Sequence, residues 1–297
     1  MKKCASCLFL MVSMVVLLSL ESAGYGHEDH NPPGRWEQRM LFMLEDAYNQ
    51  HQGEFEVSLT SEYLKNMQTE RTVGGVMKTT DRTQWNWIVD GELGITDWLQ
   101  AEVEVPFGYT DMIVTNGGVP SELEKGDIGD VFGGLTLRLL QQNHHSWGPT
   151  VGLRAGGRFP TGEWERGLGK DEYGWEAGLV ASKAFDDFYW HANASYGQTD
   201  KARQYARINP FDETLVECGF ALVYSPHSNY ELICETVAIF AEEDEAGALE
   251  RTFSWYVIPG LNLTLTEGFD VSVGAPIGVD GDTYEWGVIA KTLIKLR

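Results

Sequence analysis

From Glu54 to the C-terminus, apolar and polar residues alternate with a period of two in about twelve separate segments. Val131, Gly133, Leu135, Leu137 and Leu139 lie on one face of such a segment, with Asp130, Gly134, Thr136 and Arg138 on the other. After the polar break QQNHHSW, Val151, Leu153, Ala155, Gly157 and Phe159 repeat the pattern against Gly152, Arg154, Gly156 and Arg158. A two-residue period places successive side chains on opposite faces of a strand, so this pair predicts an antiparallel hairpin. Three segments precede it, marked by Phe55 and Val57, by Trp85 and Val89, and by Val103 and Phe107. Seven follow, through Trp175, Trp190, Cys218, Tyr230, Trp255, Val271 and Trp286. Each is close to the nine to eleven residues that a tilted membrane strand needs, roughly, to cross a bilayer.

The connections alternate in length. GITD, QQNHHSW, AFDD, SPHSN and TEGF are hairpin-sized, whereas LKNMQTERTVGGVMKTTD, TDMIVTNGGVPSELEKG, PTGEWERGLGKD, GQTDKARQYARINPFDE and AEEDEAGALER are long and polar. Only GVDGD is short on the long side. Outer-membrane barrels have short periplasmic turns and longer outer loops, a rhythm that a soluble sandwich has no reason to keep. Aromatics near the segment ends, such as Trp147, Tyr173, Tyr196, Tyr224 and Trp286, fit interfacial girdles. The pattern predicts an all-β fold, a transmembrane antiparallel barrel of about twelve strands. An even count puts both termini in the periplasm and every long connection outside.

Composition and targeting sharpen this picture. The 297 residues carry 33 glycines and a net charge of −22, which argues against nucleic acid and anionic lipid as partners. A mean hydropathy of −0.25 excludes a helical membrane protein but not a barrel, whose strands hide their apolarity in alternation. The start, MKKCASCLFLMVSMVVLLSLESAG, has the lysines, apolar core and small-residue exit of a secretory signal peptide, so residues 1–24 are expected to be removed. Cys4 and Cys7 would leave with it. Residues 25–53 would then form a periplasmic lead-in or a plug, and RWEQRMLFMLEDAYNQ has the spacing of a short helix. His27, Glu28, Asp29 and His30 read as a solvated leader, with nothing to fix a metal geometry; no metal or cofactor is expected. Residues 54–297 would be the barrel.

If the apolar face meets lipid, the polar face lines a lumen. Glu56, Asp90, Glu92, Glu102 and Glu104 then form an acidic wall, joined by Glu176, Glu231 and Glu235. Arg138, Arg154 and Arg158 form a basic cluster on the next two strands. Such walls would either face each other across the lumen or neutralise each other within a filled barrel. Lys291 and Lys295 on the last strand would meet Glu54 and Glu56 if the ends of the sheet close. The acidic excess predicts a preference for cations, or for neutral solutes with polar handles. His191, Asn193 and Ser195 share one face, but neighbours two apart lie roughly 7 Å from each other, too far for a relay. With no G-x-S-x-G element either, no catalytic residues are assigned and no enzyme is expected. Cys218 and Cys234 flank SPHSN almost symmetrically, so they would sit opposite each other or one register step away, as a disulfide or as two small lipid-facing residues.

The runs LEDAYNQHQGEFEV, GDIGDVFGGLTLRLL, GGRFPTGEW, GWEAGLVASKAF and VIPGLNLTLTEGFDVSVGAPIGV resemble, in this order, the outer-membrane barrels of the MetA-pathway-of-phenol-degradation family. The resemblance covers the chain from about Leu44 onward. It implies a Gram-negative outer-membrane channel or transporter passing small molecules, hydrophobic or aromatic compounds among them. The partners would be outer-membrane lipid, small-molecule solutes and the barrel-assembly machinery. The chain ends Lys295-Leu296-Arg297, where such barrels commonly end in an aromatic residue. The alternative to transport is a closed barrel with a structural or surface-binding role.

Overall fold

A computed structural model describes residues 41–73, 76–116, 119–142, 148–162, 173–199, 213–227, 229–245, 248–281 and 284–296. Fourteen strands run in chain order: β1 Phe55–Val73, β2 Val76–Thr96, β3 Leu99–Asn116, β4 Val119–Ile128, β5 Val131–Leu140, β6 Thr150–Phe159, β7 Gly174–Phe185, β8 Phe188–Thr199, β9 Glu213–His227, β10 Tyr230–Glu245, β11 Ala248–Thr266, β12 Phe269–Gly274, β13 Ile277–Gly281 and β14 Trp286–Leu296. Every pairing is antiparallel between neighbours, and β1 pairs with β14 from Phe55↔Leu296 to Lys65↔Trp286. The sheet is therefore closed on itself.

Fourteen strands make twelve staves, because two staves are broken in the middle. β4 pairs with the distal half of β3 and β5 with its proximal half. The break falls opposite Pro106, which has no N–H for the ladder; its carbonyl accepts the Gly129 amide at 2.7 Å instead. β12 and β13 both pair with β11, and Pro259 and Pro276 interrupt them; the Ala275 amide bonds the Pro259 carbonyl at 3.0 Å. The twelve alternating segments of the sequence correspond to these twelve staves.

The predicted apolar face is the outer one. Leu59, Val103, Leu135, Leu153, Leu179, Leu222, Leu261, Val273 and Ile294 are all large, apolar and exposed on it. Aromatic rings gather at two levels. Near the short turns, Phe185 stacks on Phe188 and Phe188 on Tyr224. Towards the other end, Tyr63 packs on Trp85 and Trp286, and Trp175 on Tyr196. Along β7, Trp175 and Phe185 are ten positions apart, about 33 Å along a strand and about 25 Å along the axis at a tilt near 40°, the height of an outer-membrane apolar band. Tight turns close the short-turn end, with Asp186 at φ 53° and Gly268 at φ 87° in the left-handed region that asparate-type residues and glycine tolerate.

Three of the expected long loops are corrected. β1 and β2 stay paired as far as Val73↔Val76, β3 and β4 as far as Asn116↔Val119, and β10 and β11 as far as Glu245↔Ala248. These connections are hairpin ribbons that project past the aromatic level. Their sequences keep no regular apolar alternation, yet backbone pairing needs none. Most of PTGEWERGLGKD and GQTDKARQYARINPFDE, and the expectations for residues 1–40, lie outside the described residues.

The helix expected in RWEQRMLFMLEDAYNQ is also corrected over its described part. Residues 41–50 are irregular, and Leu41, Phe42, Leu44, Asp46, Ala47, Tyr48, Asn49 and Gln50 are buried inside the barrel. The apolar spacing that mimics a helix reflects side chains sent to different staves. Leu41, Phe42 and Leu44 join a cluster with Ala184, Tyr189, Val223, Ile233, Val237 and Ile258 from the walls.

Candidate functional site: the barrel lumen

The lumen is filled from the short-turn end by this N-terminal segment, which runs down the barrel to enter β1 at Phe55. At the bottom, the Gln50 amide donates to Gln100 Oε1 at 2.9 Å, and Gln100 Nε2 donates to Glu92 at 2.8 Å. Asn49 Nδ2 donates to the Thr136 carbonyl at 3.1 Å. The Tyr48 hydroxyl donates to Gln142 Oε1 at 3.1 Å, and Gln142 bonds both the amide and the carbonyl of Ala184. Burial, reinforced by the neighbouring Asp46 charge, raises the Tyr48 hydroxyl above the usual tyrosine range, so it stays a donor.

One step higher, Asp46 Oδ1 accepts from Ser182 Oγ at 2.7 Å, and Ser182 Oγ accepts the Ala47 amide at 2.9 Å. His191 Nδ1 lies 2.9 Å from Ser182 Oγ and 3.4 Å from Asp46 Oδ1. These three residues share the chemistry of a catalytic triad but not its order. A triad needs the imidazole between serine and carboxylate, one nitrogen to each. Here Nδ1 faces both, and Nε2 is buried with no hydrogen-bond partner among the described residues. All three side chains are closed off from solvent, so the group ties segment to wall.

Higher again, Glu235 is fully buried and its carboxylate accepts the amides of Phe42 and, at 3.0 Å, Met43. Lys291 Nζ donates to the Leu41 carbonyl at 3.3 Å. Wall glycines make room for the bulky residues. A Cβ at Gly219 would collide with Leu44, and one at Gly260 or Gly274 with the Phe42 ring. The glycines that mark these strands in the sequence are thus seats for the segment.

Between Phe42, Met43 and Glu45 of the segment and the barrel wall lies a cavity of about 280 Å³. Arg154 is its centre of charge. Nε contacts Glu102 at 2.8 Å, Nη2 contacts Glu104 at 2.9 Å and Glu45 at 3.7 Å, and Nη1 contacts Glu176 at 3.1 Å. The guanidinium also stands 4.7 Å from the Phe132 ring centre. The acidic and basic walls are consequently neighbours that pair directly, because β3 bonds to β5 and β5 to β6. The arginines do not form one cluster. Arg158 borders this cavity and a second one of about 220 Å³, whereas Arg138 has a buried Nε with no hydrogen-bond partner and lies outside both linings.

The remaining sequence-predicted residues are placed as follows. Glu56 meets Lys295 at 3.1 Å across the β1–β14 seam, as the closing register requires, while Lys291 turns to Leu41 rather than to Glu54. Glu231 is buried and accepts from Asn262 Nδ2 at 3.2 Å. Asp90 lines the cavity. Sequence reasoning passed over Glu62 and Glu217, which line it too, although strand parity alone places both inward. Nothing in the sequence singled out Glu45 or Asp46, since the segment carrying them has no strand period. Cys218 and Cys234 form no disulfide with each other, and their expected placement opposite or one step from each other is corrected. Cys218 pairs in register with Ala238, and Cys234 with Leu222, because the hairpin is centred at Ser228, two residues beyond the midpoint of the two cysteines at Pro226.

No protein-family model matches the chain, and no curated protein matches it. The COG4313 outer membrane channel from Pseudomonas putida F1 has a similar structure, with a TM-score of 0.63 at 9% identity over 90% of this chain and 100% of that one. The translocator domain of autotransporter NalP from Neisseria meningitidis gives 0.46 at 9% identity over 100% and 98%. The NanC porin gives 0.47 at 9% identity over 81% and 99%. At such identity the first likeness establishes the fold. The chain is a closed, twelve-stranded, antiparallel β-barrel of the outer-membrane kind.

Proposed function

We propose that this protein is an outer-membrane channel for small solutes, exported with residues 1–24 as signal peptide and inserted with both termini in the periplasm. It belongs, on this reading, with the barrels of the MetA-pathway-of-phenol-degradation family. The observation that carries it is a polar cavity of about 280 Å³ within a barrel whose outer surface is apolar. Seven carboxylates and three bases line that cavity, so cations and polar neutral solutes are favoured over anions. The solved channel from Pseudomonas putida F1 supports transport as the use of this fold.

Planar-bilayer recording under a salt gradient tests this directly. Stepwise conductance with a cation-selective reversal potential is expected, strongest at low salt where screening is least. The filled short-turn half of the lumen favours the competing closed, structural barrel, and absence of any conductance would establish that instead. Orientation is tested by tags on intact cells: one within residues 200–212 should be accessible, and one at the Asp186–Asp187 turn should not.

A further inference from the structure

The cavity beside the N-terminal segment is built unevenly, and we propose that it holds a binding subsite for small organic cations, primary amines on a short alkyl or aryl body. This rests on the channel reading of the barrel. On one wall, Ser58 of β1 is 4% exposed, lines the cavity and has an Oγ with no hydrogen-bond partner. Its register partner on β2 is Asp90, which lines the same cavity with a buried, unpartnered Oδ1. On the opposite side of the ring of staves, Asn193 of β8 presents a buried, unpartnered Oδ1, next to Glu217 of β9 in the lining.

These loose ends share a sign. The carboxylate and amide oxygens can only accept, and the serine hydroxyl accepts as readily as it donates. Buried acceptors left without donors are costly, so such a set is a standing demand for a donor-rich ligand. None of the bases in the lining hydrogen-bonds these oxygens: Arg154 is divided among four carboxylates, and Lys291 donates to the Leu41 carbonyl. An ammonium group supplies three donors and a full positive charge on one atom.

A metal ion fits less well. Among the described residues, the one carboxylate group compact enough for a cation is Glu45, Glu102 and Glu104, and Arg154 already contacts all three. The unpartnered oxygens are instead spread over two walls, which suits an extended ligand. Phe42 and Phe132 line the same space and give an apolar body something to rest on.

The test uses three phenyl compounds of similar size whose polar groups are cationic, neutral and anionic: benzylammonium chloride, benzyl alcohol and sodium benzoate. Each is titrated calorimetrically into the folded full chain in detergent at low salt, and each is added during bilayer recording. Benzylammonium should bind at least tenfold tighter than benzyl alcohol, and benzoate should show no binding. Asp90→Asn combined with Glu217→Gln should weaken benzylammonium at least tenfold, while Glu122→Gln on the exposed part of β4 should not. Ser58→Ala, too small a change to unfold the barrel, should weaken it several-fold. Equal binding of the amine and the alcohol, or indifference to all these substitutions, overturns the subsite. Displacement of benzylammonium by equimolar calcium chloride also overturns it, in favour of a metal site. Amine binding without conductance would leave the subsite standing and remove the channel; conductance without amine preference would do the reverse.

Discussion

Glu235 accepts a hydrogen bond from the backbone amide of Phe42, which lies 193 positions earlier in the chain. With the Met43 amide on its second oxygen, this carboxylate is the main polar anchor of the segment that fills the lumen. Hydrogen bonds to a charged group contribute about 1.5–3 kcal/mol each, so removing the acceptor weakens the anchor severely. Glu235→Ala should accelerate amide exchange at Phe42 and Met43 by at least a hundredfold and raise single-channel conductance. Glu235→Gln, which keeps one acceptor oxygen, should fall between it and the unmodified protein.

The glycine seats give an independent way to dislodge the segment. Gly219→Val would press on Leu44 from the wall side, and overpacking of this kind costs about 1–3 kcal/mol. The barrel should still show a heat-dependent gel shift, with conductance raised as in the Glu235 variant. Gly148→Ala, where an added Cβ meets nothing within 4 Å, should change neither measurement.

Arg154 offers the sharpest test of the charge arrangement. Arg154→Met strands four carboxylates, and breaking a buried ion pair from one side costs about 3–5 kcal/mol. The temperature of the gel shift should fall clearly. Adding Glu102→Gln and Glu104→Gln to the same chain should restore most of the loss, since the stranded charges go with the partner. A simple sum of the separate effects would show that the pairs are independent of each other.

The cysteines report register. Cys218 and Cys234 are four positions out of step on neighbouring strands, about 13 Å along the strand, beyond the reach of a disulfide. Both thiols should alkylate in unreduced, denatured protein. Ala238→Cys, in direct register with Cys218, should give a disulfide under oxidising conditions and so confirm the pairing.

The staves were legible in the sequence because lipid and lumen impose opposite demands on successive side chains, as at Leu135 and Thr136. What that alternation did not carry was anything set by distance across the lumen. The neutralised state of Arg154 depends on which staves are neighbours, and the separated cysteines depend on where one turn is centred. The ribbons beyond the aromatic levels were invisible for a plainer reason: their sequences keep no period of two, and the backbone pairing that extends them needs none. For Leu41–Gln50, the irregular backbone meets several walls at once, so its apolar residues obey no single period. The seats that receive it, such as Gly219 and Gly260, were visible as glycines but had no stated purpose until Leu44 and Phe42 were placed.

The seam between β1 and β14 has a bearing on biogenesis. Phe55 opens β1 a few residues after the lumenal segment, and β14, the last of the fourteen strands, carries both Lys295 for Glu56 and Lys291 for the Leu41 carbonyl. One strand therefore zips the cylinder shut and clasps what is inside it. A chain truncated before Trp286 loses both fastenings together, so enclosure of the N-terminal segment is coupled to completion of the wall, and a half-assembled barrel has nothing on its final edge to hold it.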